Sequence, residues 1–387
     1  MKRKLWSLTL GNFAIGTGAM IVPGMLNELS ADLAVSPAAI GVIISAFALT
    51  ICVCGPFLAG WTSAIERRKL LTAALVLYAL THFLAALSPG YGMLLAVRIA
   101  TAIGAALFTS QAAATASLLV PAQQRGKAIG LVFLGWSISA VIGMPVGAYL
   151  GAHLGWRPTM AIVGALSALF AAWVWTQIPG RLYVAKMDRV AWKSLFSNPA
   201  LLLAISVTAI QAAGMFTVTT YLALMLKDFI GATPPMISLV FAAFGLTGVV
   251  GNIIGSRVMD RVGTARVGMI SMACMALAMA LWPFTRGSLP ITLALALLFG
   301  AGGFAVNSSQ QARLIDLAPQ LASASIALNS SAIYLGQAFG ALSGGALVAT
   351  RGTAELSLVG SALMVVAMAV SRVASGMALR RAAVKTA

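Results

Sequence analysis

The sequence predicts an all-α membrane protein whose twelve transmembrane helices form two pseudo-symmetric bundles of six. Three observations lead there. Hydrophobic residues fill 60% of the 387 positions and charged residues only 9%, against roughly 25% charge in soluble domains. The apolar residues gather into twelve runs, each near the ~20 residues that a bilayer-crossing helix needs. The longest polar stretch falls between the sixth and seventh runs, and a glycine pattern recurs on either side of it. No length remains for a sizeable soluble domain, which excludes a cytosolic enzyme and a secreted disulfide scaffold.

The first run, Ser7–Leu29, follows Lys2-Arg3-Lys4 and continues to Glu28 without a small-residue cleavage site after a short core. It reads as an uncleaved span and not as a signal peptide. Polar, glycine and proline punctuation then sets off spans at Pro37–Gly60, Leu70–Leu87, Gly92–Ser117, Ala128–Leu154 and Pro158–Ile178. Residues 179–199 carry Arg181, Lys186, Asp188, Arg189 and Lys193 and read as a cytoplasmic linker between bundles at 1–178 and 200–387. The second half is expected to cross at Pro199–Leu226, Pro235–Gly255, Val267–Phe284, Leu289–Gln311, Ala322–Ala349 and Thr353–Ser375.

The formal net charge of +17 follows from topology. With the amino terminus inside, twenty Lys and Arg residues fall on the inner side. Only Arg157, Lys227, Arg286 and Arg351 fall outside, and Arg98 alone lies within a span. Cytoplasmic loops are enriched in Lys and Arg, so both termini are expected inside. Nucleic acid is excluded as a partner, because no soluble module presents a basic face.

Gly143, Gly147, Gly151 and Gly155 recur every four residues around the fifth span, and Gly336, Gly340 and Gly344 do so in the eleventh, 193 residues later for the first three. Glycines at that spacing share one helix face and let another backbone approach closely in lipid. Ordinary helix packing explains one such stripe. Its recurrence at the equivalent helix favours two parallel repeats, with close contact along both faces letting the halves repack.

Several motifs lie along this frame. Gly55-Pro56-Phe57-Leu58-Ala59-Gly60 leads to Arg67-Arg68-Lys69-Leu70-Leu71, and in the second half Gly251 to Gly255 leads to Asp260-Arg261-Val262-Gly263. The fourth span carries Arg98, Thr101, Gly104, Ala105 and Ala106; the fifth carries Gly143-Met144-Pro145-Val146-Gly147 and then Gly155-Trp156-Arg157. Together these resemble the major facilitator superfamily, in its twelve-helix drug:proton antiporter branch of bacterial sugar, nucleoside and drug efflux permeases. The resemblance covers nearly the whole chain. It departs from the family pattern at Ala64, where Asp is usual, and at Arg67, where Gly is usual. It implies the major facilitator fold, with helices one, four, seven and ten around a central cavity. Gate loops are implied at Arg67, Arg68, Asp260 and Arg261, and conformational packing at Gly143, Pro145, Gly147, Gly151, Gly336, Gly340 and Gly344.

A guanidinium within a span costs at least a few kcal/mol to insert and normally faces a polar cavity, so Arg98 is the first candidate for solute contact. Snorkelling or bracing through carbonyls is the alternative. Asn12, Thr101, Gln211, Asn307 and Gln310 are neutral polar residues of the implied cavity helices, and Ser330, Tyr334 and Gln337 share a face at i, i+4, i+7. Such groups serve equally as interhelical glue at about 1 kcal/mol each. His82 reads as packing on a peripheral helix. All eight acidic residues fall in loops or at helix ends, and Gly18 and Ala19 stand where the resembled branch often has an acid after Gly16-Thr17. Glu28 and Asp32, at i, i+4 near the outer end, are substitutes or simply solvated charges.

Cys52, Cys54 and Cys274 with two separated histidines make no metal site, and no Gly-x4-Gly-Lys-Ser/Thr loop supplies an ATP motor. The expected protein is an exporter that uses no cofactor and draws on a proton gradient. It is expected to work as a monomer among lipids of a bacterial inner membrane. With no acid in the cavity, its partner is expected to be a small neutral polar, amphipathic or anionic solute. A passive uniporter of the same fold is the alternative. An intramembrane enzyme would need a Ser/His or paired-Asp constellation within the spans.

Overall fold

The computed structural model describes residues 2–62, 64–183, 189–285 and 287–386. Fifteen α-helices run through them. The first seven are α1 (Lys2–Gly24), α2 (Leu26–Asp32), α3 (Pro37–Trp61), α4 (Arg67–Ala86), α5 (Tyr91–Leu118), α6 (Arg125–Leu154) and α7 (Trp156–Gln177). After α8 (Arg189–Phe196) come α9 (Pro199–Thr219), α10 (Leu222–Ile230), α11 (Pro234–Val262), α12 (Thr264–Leu281), α13 (Leu289–Leu317), α14 (Ala322–Arg351) and α15 (Ala354–Thr386). Among the described residues, twelve of these helices are long and apolar enough to cross a bilayer. The starts follow from local chemistry. Pro37 and Pro199 occupy first-turn positions, where a missing N–H costs nothing, and the side chains of Ser36 and Asn198 accept from the N–H of Ala39 and Leu201.

Two expected spans are divided. Ser7–Leu29 breaks at Met25 between α1 and α2, because Pro23 removes the N–H that would bond the Ala19 carbonyl. Pro199–Leu226 breaks at Thr220–Tyr221 between α9 and α10; there the Tyr221 ring is buried and its hydroxyl donates to the Ala341 carbonyl at 2.7 Å. The last helix runs to Thr386, beyond the expected Ser375.

The chain forms two compact units, residues 1–186 with 233–242, and residues 187–232 with 243–387. Of the linker expected at 179–199, residues 184–188 lie outside the described residues. Within the first unit α1 packs most extensively on α6, and within the second α9 packs so on α14. The glycine stripes are the reason. A methyl group added at Gly147 would lie 2.8 Å from Ile21, and one at Gly151 2.5 Å from Met25. One at Gly336 or Gly340 would overlap the carbonyl oxygen of Ala209 or Ala213. Each stripe therefore holds a helix pair inside its own unit, which corrects the expectation of faces along which the halves repack. Pro145 sits half-buried within an uninterrupted α6.

The repeat extends to one end of each unit. In the first unit the Asp32 carboxylate accepts from Trp156 Nε1 at 2.9 Å and Arg157 Nη1 at 2.5 Å. In the second, Asp228 accepts from the Thr353 hydroxyl at 2.8 Å. Each tie joins the short helix after the unit's first span to the start of its last.

Candidate functional site

Arg98 lies seven residues into α5, roughly 10 Å from its start at 1.5 Å per residue. The side chain is only 2% exposed, so it is enclosed by protein and does not open on a cavity as expected. The guanidinium stacks on the Phe47 ring, with its carbon 4.5 Å from the centroid. Its Nε and Nη1 find no hydrogen-bond acceptor among the described residues. A desolvated cation–π contact offers about 2 kcal/mol, whereas burying an ion costs several. The ring alone leaves the charge under-compensated.

The neighbours come from α4 and α1. Tyr78 donates its hydroxyl to the Ile15 carbonyl at 2.8 Å, and its ring lies 4.3 Å from that of His82. His82 Nδ1 stands 2.8 Å from the Tyr78 carbonyl oxygen. A carbonyl only accepts, so Nδ1 carries the proton and Nε2 is the acceptor of the neutral ring. Nε2 is buried without a partner among the described residues, against Gly18, where a methyl group would lie 2.5 Å away. Arg98 is within electrostatic reach of His82 and Tyr78. The same part of the unit thus holds unfilled guanidinium donors and an unfilled imidazole acceptor. A hydroxyl or a carboxylic acid, which accepts and donates at once, matches that pattern. His82, expected as peripheral packing, belongs to this centre.

Asn12 and Thr101 are both fully buried in the same unit. Asn12 Nδ2 donates to the Val132 carbonyl at 3.1 Å, and the Thr101 hydroxyl returns to Val97 on its own helix at 2.7 Å. Both therefore act as packing groups here, not as the open cavity contacts expected. Asn12 Oδ1 still lacks a donor among the described residues.

In the second unit, Gln211 Nε2 donates to Asn307 Oδ1 at 3.3 Å. Gln310 donates through Nε2 to the Ala204 carbonyl at 3.2 Å, and its Oε1 accepts from Arg313 Nη1 at 3.4 Å. Arg313 also donates to the Ser371 hydroxyl at 2.8 Å and the Ser375 hydroxyl at 2.9 Å. These contacts tie α9, α13 and α15 together. Gln211 and Gln310 are buried, and Asn307 is half-buried. On α14, Ser330 and Tyr334 are half-buried and Gln337 is buried; the Ser330 hydroxyl bonds back to Ile326.

The expected gate residues separate into two kinds. Asp260 and Arg261 are exposed at the end of α11. Arg67 opens α4 with its side chain fully buried, donating to Gln111 Oε1 and to the Thr62 carbonyl at 2.8 Å. Its main-chain N–H bonds the Leu182 carbonyl at 2.8 Å. Arg68 lies over the Trp175 ring and beside Glu66. Arg98 is therefore not alone: Arg67 and Arg313 are also buried within spanning helices.

Sequence reading missed Asn329 and Arg313, and took His82 for packing alone. Asn329 is fully buried with neither side-chain atom partnered among the described residues. Its place at i−7 and i−11 from Gly336 and Gly340 puts it on the packed glycine face. Arg313 follows Gln310 by one turn, a spacing that shares a face. Nothing local marks His82, since its role depends on which helices adjoin α4.

The family profile of the Major Facilitator Superfamily matches residues 8–229 and 206–384. The chain belongs to the Major Facilitator Superfamily. It is thus a multi-pass membrane transporter and not an enzyme. The superfamily members it is similar to include the inner membrane transport protein YdhP of Escherichia coli (strain K12), 26% identical over 89% of this chain and 88% of that one. A "Probable sugar efflux transporter" of Helicobacter pylori (strain ATCC 700392 / 26695) is 25% identical over 94% and 93%. Among solved superfamily folds, a D-xylose–proton symporter superposes with a TM-score of 0.77 at 18% identity, covering 95% of this chain and 96% of the other. A bacterial homologue of the human lysosomal transporter Spinster, inward-facing and unoccupied, gives 0.78 at 17% identity over 97% of each.

Proposed function

We propose that this transporter is a secondary exporter working by alternating access, coupled to inward proton flow, for a small neutral polar, amphipathic or anionic solute. The observation that carries the reading is the enclosed Arg98 guanidinium, with two nitrogens lacking acceptors and the His82 Nε2 acceptor within its electrostatic reach. A positive centre without a carboxylate repels organic cations. In the state of the transport cycle that opens this centre to the solute, a hydroxyl, a carbonyl or a carboxylate arriving with it relieves the charge. Export is supported by the Gly143 to Arg157 motif and by the sugar-efflux name of the Helicobacter relative. The protein acts as a monomer, in a bacterial inner membrane with both termini cytoplasmic, and needs no cofactor beyond the gradient. A passive uniporter is the second reading, favoured by Ala19 and by the confinement of every acidic residue to loops and helix ends.

Proteoliposomes loaded with lactose, a nucleoside or benzoate test this, with and without an imposed pH gradient. One of these solutes should move, faster with the gradient, and tetraphenylphosphonium should not. Arg98→Ala should lower the rate at least tenfold. Arg98→Lys should keep part of it, retaining charge but not the planar fork. Transport indifferent to the gradient selects the uniporter. Brisk tetraphenylphosphonium efflux undiminished in Arg98→Ala would end the reading.

A further inference from the structure

On the outside of the first unit, α4 and α7 leave a groove of about 440 Å³ between them. Its floor and walls are apolar: Val76, Ala79 and Leu80 on one helix, Ala168, Ala172 and Trp175 on the other. Alanines where larger residues would close the seam create it, and Ala168 and Ala172 are exposed. The groove begins at Thr72 and ends at Phe83. Eleven residues at 1.5 Å each make roughly 16 Å, about half of the ~30 Å hydrocarbon core. One leaflet's acyl chain has that reach.

The groove has a charged mouth at its Thr72 end. Arg68 lies with its guanidinium carbon 4.6 Å from the Trp175 ring centroid and is one-third exposed. Lys69 is 64% exposed beside it. Glu66 stands 3.6 Å from both, offsetting part of the charge. Gly180 packs against Glu66 and Arg68, and the following Arg181 is exposed. Three cations against one carboxylate leave the mouth positive. An aromatic ring at the same level is the usual mark of the headgroup boundary.

We propose that this groove holds one anionic phospholipid of the leaflet at the Arg68 end. Its phosphate lies on Arg68, Lys69 and Arg181, and an acyl chain runs along Val76, Leu80 and Ala172. Attraction between a basic cluster and anionic headgroups sorts anionic from zwitterionic lipid. The same alanine seam occupied by any lipid would show no headgroup preference; the cations supply it.

The test uses the full-length protein washed free of lipid in detergent, with native mass spectrometry counting lipids retained. Palmitoyl-oleoyl phosphatidylglycerol should bind at one copy at least fivefold more tightly than phosphatidylcholine with the same chains. The double variant Arg68→Gln, Lys69→Gln should reduce that preference about fivefold, towards parity. Ala172→Trp, filling the groove from an exposed position, should abolish the tightly held copy; Ala168→Phe, one turn away, serves if the first variant does not fold. Equal binding of the two lipids by the wild type overturns the site. So does a preference that survives both variants, or displacement of the lipid by glycerol 3-phosphate at equal concentration, which would mark an anion site without a chain-binding groove.

Discussion

Arg67 and Gly263 stand at matching places in the two halves, each just after the second span of its half. Gly263 has φ +90°, ψ 152° and caps α12, a backbone that a side chain strains. In the first half the turn is made through Glu66, at φ −56° and ψ 128°, and Arg67 is already on α4. Freed from the left-handed region, position 67 can carry a side chain, and its guanidinium fills the space with hydrogen bonds to Gln111 and the Thr62 carbonyl. The departure from the family pattern is therefore a change of device, from a bare turn to a buried tie. Asp32 gives a pH-dependent consequence. Hydrogen bonds from Trp156 and then Arg157 hold its carboxyl below the ordinary value of 3.8. A carboxyl depressed by folding stabilises the folded state fully above its unfolded pKa, and that contribution fades as pH falls through the folded value. The window is thus below about pH 4. Asp32 is half exposed, which keeps the ion-pair share under about 1 kcal/mol. Asp32→Asn should lower the melting temperature in detergent by about 1–2 °C at pH 7, with the gap closing as pH falls below 4. An equal gap at pH 3 and pH 7 would assign the effect to packing.

Helices in lipid lack a hydrophobic drive toward one another, so close backbone approach decides which pairs hold. The α9–α14 pair is the sharper case, because a side-chain carbon at Gly340 meets the Ala213 carbonyl, which cannot rotate away, whereas at Gly147 it meets the Ile21 side chain first. Overpacking of this kind costs typically 1–3 kcal/mol. Gly340→Ala should therefore depress the melting temperature more than Gly147→Ala, and Gly130→Ala, with nothing within 4 Å of the added carbon, should leave it unchanged or raise it. An unaltered melt for Gly340→Ala would remove the close approach. The twelve spans were legible because burial in lipid demands long apolar runs, and the glycine stripes were legible because their period matches a helix face. The breaks at Met25 and Tyr221 were not, since hydropathy records composition and not backbone angles. Arg98 stood out as a cation within a span, yet its surroundings did not. Phe47, Tyr78 and His82 lie on two other helices, and only tertiary packing makes them neighbours. The same holds for Arg313, which reads as a loop cation until Ser371 and Ser375 of α15 are seen to receive it.

For the whole chain, the largest quantity available from sequence is the charge imbalance, and the structure alters what it counts. Arg67 and Arg313 are buried and bonded to protein, so removing those two from the twenty inner cations leaves eighteen against four outer ones. The asymmetry survives the subtraction. Orientation follows from Lys and Arg in short loops near span ends, and here such residues cluster at Lys2-Arg3-Lys4, at Arg68-Lys69, at Arg125 and Lys127, and at Arg257, Arg261 and Arg266. Each basic residue near an anionic cytoplasmic leaflet gains about 1 kcal/mol, so reversing the molecule would forfeit many such contributions together. The prediction is a fixed topology. After Cys52, Cys54 and Cys274, all partly buried, are changed to Ser, a cysteine at exposed Ser194 should react with a membrane-impermeant maleimide only in inside-out vesicles. One at exposed Pro89 should react only in intact cells. Labelling of both positions from one side would break the three crossings, α5, α6 and α7, between them. An exchange of the two patterns would place the termini outside, and would move the proposed lipid mouth at Arg68 to the opposite leaflet.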